Sequence, residues 1–202
     1  MKNLILILLT TLTLSCCDKD DDKPKNPIDQ LPPATQTGAN TAGCYINGEL
    51  LIPKNGSQAI GEPPIYGLKV GAGNDFNLPI IGDDYWQLEI ANKKDPNSSG
   101  IILWIKNMQN GSGDYIVEQS NGELYMDGPD NNQIIAGVKI NGVYKTYWSG
   151  SSAGKITITR FDYPNGIYSG TFNATLYNKD NPAEKIQVTD GRFDISIATL
   201  NL

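Results

Sequence analysis

Histidine is missing from all 202 positions. That absence excludes Ser-His-Asp and Cys-His nucleophilic catalysis, histidine-ligated zinc and histidine-driven pH switching. Positive charge is the second shortage. Sixteen Lys and Arg stand against 22 Asp and Glu, for a net charge of −6, with no basic cluster. Nucleic acid, whose binding rests on Lys and Arg at phosphates, is therefore excluded as a partner. So is adhesion to an anionic membrane through the chain's own side chains. Helix signals are scarce too, because no segment carries an apolar stripe with caps. The one long apolar run is too short to cross a bilayer, which takes about 20 residues.

That run opens the chain. Lys2 precedes Leu4-Ile5-Leu6-Ile7-Leu8-Leu9, and apolar residues continue between threonines to Leu14. This is the layout of a secretory signal peptide over residues 1–15. The Ser15-Cys16 junction resembles the lipobox of bacterial lipoproteins, in which the cysteine thiol takes a diacylglyceryl group and the peptidase cuts before it. The resemblance implies lipid attachment at Cys16, with Cys17 as the alternative, since Ser15 suits the small position before the cut and Cys16 does not. Several acyl chains hold a protein to a membrane stably where one alone does not. The run Asp18-Lys19-Asp20-Asp21-Asp22 resembles the export signal that Bacteroidota place after the lipidated cysteine. It implies an outer-membrane lipoprotein facing the cell exterior. Loss of the leader removes Lys2 and no acid, leaving 15 basic against 22 acidic residues, a balance of −7.

Residues 16–40 read as a disordered tether. Pro24, Pro27, Pro32 and Pro33 interrupt a stretch of Asp, Lys, Asn, Gln and Thr that buries too little apolar surface to fold. Residues 41–202 suit a single domain. Trp86-Gln87-Leu88-Glu89-Ile90, Lys155-Ile156-Thr157-Ile158-Thr159 and Tyr168 to Leu176 alternate apolar and polar, the period of a strand with one wet face. Ile101-Ile102-Leu103-Trp104-Ile105 is apolar throughout, as for a central strand covered on both sides. Asn47-Gly48 and Asn141-Gly142 predict type I′ turns. Asp190-Gly191 reads either as a third hairpin turn or as a bulge within one strand. The expected fold is all-β, an antiparallel β-sandwich, with an up-and-down β-barrel as the alternative. Cys44 reads as a small buried apolar group on the first strand, and a Cys17–Cys44 bridge stays open.

Several stretches together resemble a known group. Thr37 to Cys44 followed by Asn47-Gly48, then Lys155 to Phe161, Ser169-Gly170-Thr171-Phe172 and Thr189 to Asp194 are similar to Bacteroidota lipoproteins carrying a domain of unknown function. The resemblance implies an all-β surface lipoprotein. Its motifs are turn and strand residues, and it brings no catalytic ones.

Candidate sites are few. Gly71-Ala72-Gly73-Asn74-Asp75 has no following helix to meet a phosphate and reads as a loop. Asp127 to Asn132 carries oxygen ligands without the EF-hand order and reads as an Asx-rich turn; no metal and no cofactor are expected. Asp83, Asp84, Glu118 and Glu123 are the carboxylates nearest to aromatics, the pairing a glycoside hydrolase needs, but solvated loops account for them. Trp86 and Trp104 read as core. Tyr147-Trp148, beside Ser149-Gly150-Ser151-Ser152, is the candidate ligand-binding pair, because one of two strand neighbours must face away from the core. The expected role is non-catalytic binding or structure, with a glycan or an envelope protein as partner. A lipocalin-like carrier of a small apolar ligand is the alternative, and a carboxylate hydrolase stands third.

Metabolic labelling with palmitate is expected to mark the protein in a cysteine-dependent way. Cys16→Ala is expected to abolish the label, and a label that survives loss of both Cys16 and Cys17 rules the anchor out.

Overall fold

The computed structural model describes residues 30–58, 60–73, 85–94 and 98–202. The leader, Cys16, Cys17, the acidic run, Asp83 and Asp84 lie outside them. Among the described residues, ten strands form one sheet. They are β1 (Thr41–Ile46), β2 (Glu49–Leu51), β3 (Leu68–Ala72), β4 (Tyr85–Ala91) and β5 (Gly100–Lys106). After these come β6 (Gly113–Val117), β7 (Gln133–Ile140), β8 (Val143–Asp162), β9 (Ile167–Asn178) and β10 (Lys185–Ser196). The order across the sheet is β2-β1-β10-β9-β8-β7-β5-β4-β3, and β6 pairs with β8 off that path. Every pairing between these strands is antiparallel. The all-β antiparallel expectation holds, in the form of a single sheet curled into a half-barrel.

The curl is visible in contacts between strands far apart in the sheet. Trp86 on β4 lies 6.0 Å from Tyr168 on β9 and 5.8 Å from Phe193 on β10, ring centre to ring centre. These rings meet in one interior cluster with Leu88, Leu103, Ile156 and Leu176. A fully buried side chain of this size contributes about 1.5–3 kcal/mol. Cys44 sits in the same cluster, and burial pushes its thiol up to about 12. The sheet margins are fastened as well. Lys54, just after β2, exchanges backbone hydrogen bonds with the end of β4, donating to the Ala91 carbonyl (3.0 Å) and accepting from Lys93 N–H (2.7 Å). Asn201 at the chain's end donates its amide to the Leu68 carbonyl of β3 at 2.9 Å. Such closures cover edges that otherwise invite pairing with another chain.

Both Asn-Gly turns form as expected. Asn47 and Gly48 have φ of 50° and 82°, Asn141 and Gly142 of 52° and 81°, the pair of positive values a type I′ turn needs. Asp190-Gly191 is the bulge. β10 runs unbroken from Lys185 to Ser196, and it advances from Val188 to Gly191 while β9 advances only from Ala174 to Phe172. The extra residue flips the alternation, so Ile186 and Val188 face inward before it and Phe193 and Ile195 after it.

The 20-residue β8 is the longest strand; straight, it would reach about 65 Å. It turns a corner instead. Its first part pairs with β7 and its second with β6, and between Ser149 and Gly154 it bulges away from β9. Side chains close the fork. The Ser149 hydroxyl accepts from Ile134 N–H at 3.1 Å and donates to the Glu118 carbonyl at 2.7 Å. Asn132 bridges β5 and β6 in the same way, accepting from Lys106 N–H and donating to the Ile116 carbonyl.

The expected tether boundary at Asn40 needs correction. From about residue 31 the chain is packed on the sheet. Leu31 is buried against Gly43 of β1. Asp194 of β10, 1 % exposed, gathers the segment by accepting from the Thr35 hydroxyl (2.6 Å) and from the N–H groups of Thr37 (2.9 Å), Gly38 (2.8 Å) and Ala39 (3.2 Å). Ser169 donates to it as well, at 2.7 Å. Polar composition hid this contact, because the partner is one buried carboxylate and not an apolar face.

Burial alone would raise the Asp194 carboxyl, but these donors overcome it and hold the group far below the usual carboxylate range. Its folded value lies below the unfolded one, so its stabilisation is present above about pH 4 and is lost as pH falls further. Asp194→Ala is expected to cost about 3 kcal/mol or more, from buried donors left unpaired, as measured by urea unfolding at pH 7. An unchanged midpoint would refute the clasp.

Candidate functional site

Alternation along β8 separates the predicted pair. Tyr147 points inward and is fully buried. Its hydroxyl donates to Glu184 Oε1 at 2.5 Å; burial and then that carboxylate push it up to about 12. Tyr147 is thus removed from the set of ligand-facing aromatics. What it does is hold the β9–β10 loop. Glu184 also receives Lys145 Nζ at 2.8 Å and 2.9 Å and the Asn178 amide at 3.1 Å. The Lys145 and Tyr147 hydrogen bonds keep its carboxyl below the ordinary value.

Trp148 faces the other way, half-buried on the convex side of the sheet. Tyr177 of β9 is its direct cross-strand partner, close enough in an antiparallel pair for the two side chains to form one surface. Lys185 Nζ sits 5.1 Å from the Tyr177 ring centre on the side away from Trp148. A Cβ added at Gly150 would meet Tyr177 at 3.1 Å, so the ring leans back over that glycine. Around the pair is an open hollow of about 360 Å³, bounded by Gln119, Ser120, Ser151, Asn178, Lys179 and Pro182. Hydroxyls and amides ring an aromatic base. Tyr177 carries no sequence signal of its own, because its nearness to Trp148 comes from the register of β8 on β9.

Two loops give the hollow its walls. The Asn178 side chain accepts from the N–H groups of Asp180 (2.9 Å) and Asn181 (3.3 Å), shaping one wall. The other wall is the segment after β6, tied to the bulge of β8. Ser120 N–H donates to the Ser149 carbonyl at 2.9 Å, and Glu118 Oε2 accepts from Ser152 N–H at 2.8 Å. Gly122, with φ of 83°, lies directly on Trp148, and a Cβ there would sit 2.5 Å from the indole. Further along, Gly128 packs on Trp104 in the same manner, while Trp104 Nε1 donates to the Tyr125 carbonyl at 3.2 Å. Trp104 and Trp86 are both buried, as expected. Trp104 lies on the convex side under this segment, stacked 5.9 Å from Tyr85, whereas Trp86 lies in the interior.

No family model matches this chain, and no curated protein or solved structure matches it either. Its chemistry has to be read from these side chains. Among the described residues, the candidate hydrolase carboxylates Glu118 and Glu123 share no role at the hollow. Glu118 is engaged by Ser152, Glu123 is exposed, and Asp83 and Asp84 lie outside the described residues. Asp127, Asp130, Asn131 and Asn132 belong to the loop over Trp104 and the Asn132 bridge. An aromatic shelf with fixed hydroxyl and amide groups suits reversible binding of a polar molecule that has C–H faces.

Gly122→Ala is expected to destabilise the protein by about 2 kcal/mol, from the left-handed backbone and the lost contact with the indole. Tryptophan emission is expected to shift to the red as the loop lifts from Trp148. An unaltered spectrum with full stability would show that the glycine does not hold the loop on the ring.

Proposed function

We propose that the protein is a lipid-anchored, surface-displayed binding protein that recognises neutral glycan at the Trp148–Tyr177 shelf, without catalysis. The observation that carries the reading is the outward Trp148 paired in register with Tyr177 above a ring of Ser, Asn and Gln groups. Sugars present C–H faces that cover aromatic rings and hydroxyls that exchange hydrogen bonds with amides and serines. An apolar ligand inside the barrel has less support, since Trp86, Tyr168, Phe172 and Phe193 occupy the interior.

The leader and the Ser15-Cys16 junction supply the anchor in this reading. Outer-membrane display follows from the acidic run, and the docked segment at residues 31–40 then connects tether to sheet without slack.

A neutral-glycan array probed with the mature chain is expected to give hits. Trp148→Ala is expected to weaken them about tenfold, the equivalent of roughly 1.4 kcal/mol of aromatic contact, and to lower thermal stability as the Gly122 contact is lost. Tyr177→Ala, which leaves that contact in place, is expected to weaken them with thermal stability little changed. Equal binding by wild type and both variants would sink the assignment of the site, and an array without hits would sink the glycan reading.

A further inference from the structure

We infer that the Trp148 hollow is one end of a longer groove, built for an extended, uncharged oligosaccharide chain and not for a single terminal sugar. The inference rests on the glycan reading above and specifies its ligand. Tyr144, Thr146 and Trp148 alternate outward along the first part of β8, so they line one face. A second hollow of about 220 Å³ lies on the same face. Tyr144 and Thr146 form one side, Glu89 and Lys93 the far side, and Gly100 and Gly137 the floor.

The two hollows are linked through Ile135 and Thr146 of the second. Ile135 lines the second hollow and is the cross-strand partner of Trp148. The Thr146 carbonyl accepts from Lys179 N–H, at the rim of the first, at 3.1 Å. β7 and β8 are immediate neighbours in the sheet order. The α-carbons of Tyr144 and Trp148, four residues apart on one strand, are about 14 Å apart. A ligand that fills both hollows, which have no lining residue in common, is longer than one sugar ring.

The floor is made for a ring to lie on it. A Cβ at Gly137 would fall 1.7 Å from Tyr144 Oη, so the tyrosine is laid down across the sheet because position 137 has no side chain. It is nevertheless 52 % exposed, leaving ring surface for a ligand. Charges along the groove are matched locally. Glu89 and Lys93 pair at 2.6 Å, and Lys179 pairs with Asp180 at 3.0 Å. A groove whose ions already neutralise one another selects neither an anionic nor a cationic chain.

The test is a length ladder. Linear neutral glucans, xylans and mannans of one to six units are titrated into the mature chain by calorimetry. Affinity is expected to rise about tenfold between the shortest chains and those that span both hollows. Tyr144→Ala is expected to cancel that rise, so that long and short chains bind alike. Gly137→Ala, which keeps the tyrosine but forces it off the floor, is expected to do the same, and the double variant to lose no more than either single one. Affinity independent of length, or a Tyr144→Ala loss equal at every length, overturns the groove and leaves the shelf standing. Binding of none of these sugars by the wild-type chain overturns both.

Discussion

A sheet one layer thick sends each residue to one side or the other, and everything specific about this molecule follows from where that alternation is kept and where it is broken. β8 keeps it through Tyr144, Thr146 and Trp148 on the convex side, with Tyr147 inside. The bulge between Ser149 and Gly154 then resets it, so that Ile156 and Ile158 face inward on the even positions. The same strand thereby serves two neighbours, β7 and β6, and rounds the corner of the half-barrel. Without the reset, either Tyr147 or the two isoleucines would point into water. The hollow beside Trp148 is a by-product of the corner, because the bulge, the segment at residues 118–122 and the β9–β10 loop meet there.

A second constraint joins the globular body to what precedes it. Six donor groups converge on Asp194, and five of them come from residues 35–39. A buried carboxylate with this many partners stays ionised and makes loss of any one contact costly. The attachment lies on β10, whose two neighbours β1 and β9 carry much of the interior cluster. A pull on the amino-terminal side is therefore received by the middle of the sheet and not by an edge strand.

Much of the fold was legible in the residues, and the illegible parts share a cause. Asn47-Gly48 and Asn141-Gly142 declare their turns because few residues tolerate two consecutive positive φ values. Alternating runs such as Lys155 to Thr159 declare their strands. Asp190-Gly191 did not resolve itself: a hairpin and a bulge both put Ile186, Val188, Phe193 and Ile195 on the inner face, and only pairing with β9 decides between them. Residues 31–40 read as tether because a low apolar content normally means no fold, and a buried Asp 150 or more positions away leaves no local mark. For the site, the pair Tyr147-Trp148 was visible, along with the need for one of the two to face outward. Which one did, and that Tyr177 stands beside it, depended on register, which is a property of the whole sheet.

The central claim is a placement: of three tryptophans, Trp148 alone meets solvent, on the convex face of a curled sheet. Acrylamide quenching of three variants, each retaining one tryptophan with the other two replaced by Phe, measures it. The account predicts appreciable quenching for the Trp148-only protein and strong protection for the Trp86-only and Trp104-only proteins. Protection of Trp148 equal to theirs, or free access to Trp86, would contradict the register on which the shelf and the groove both depend.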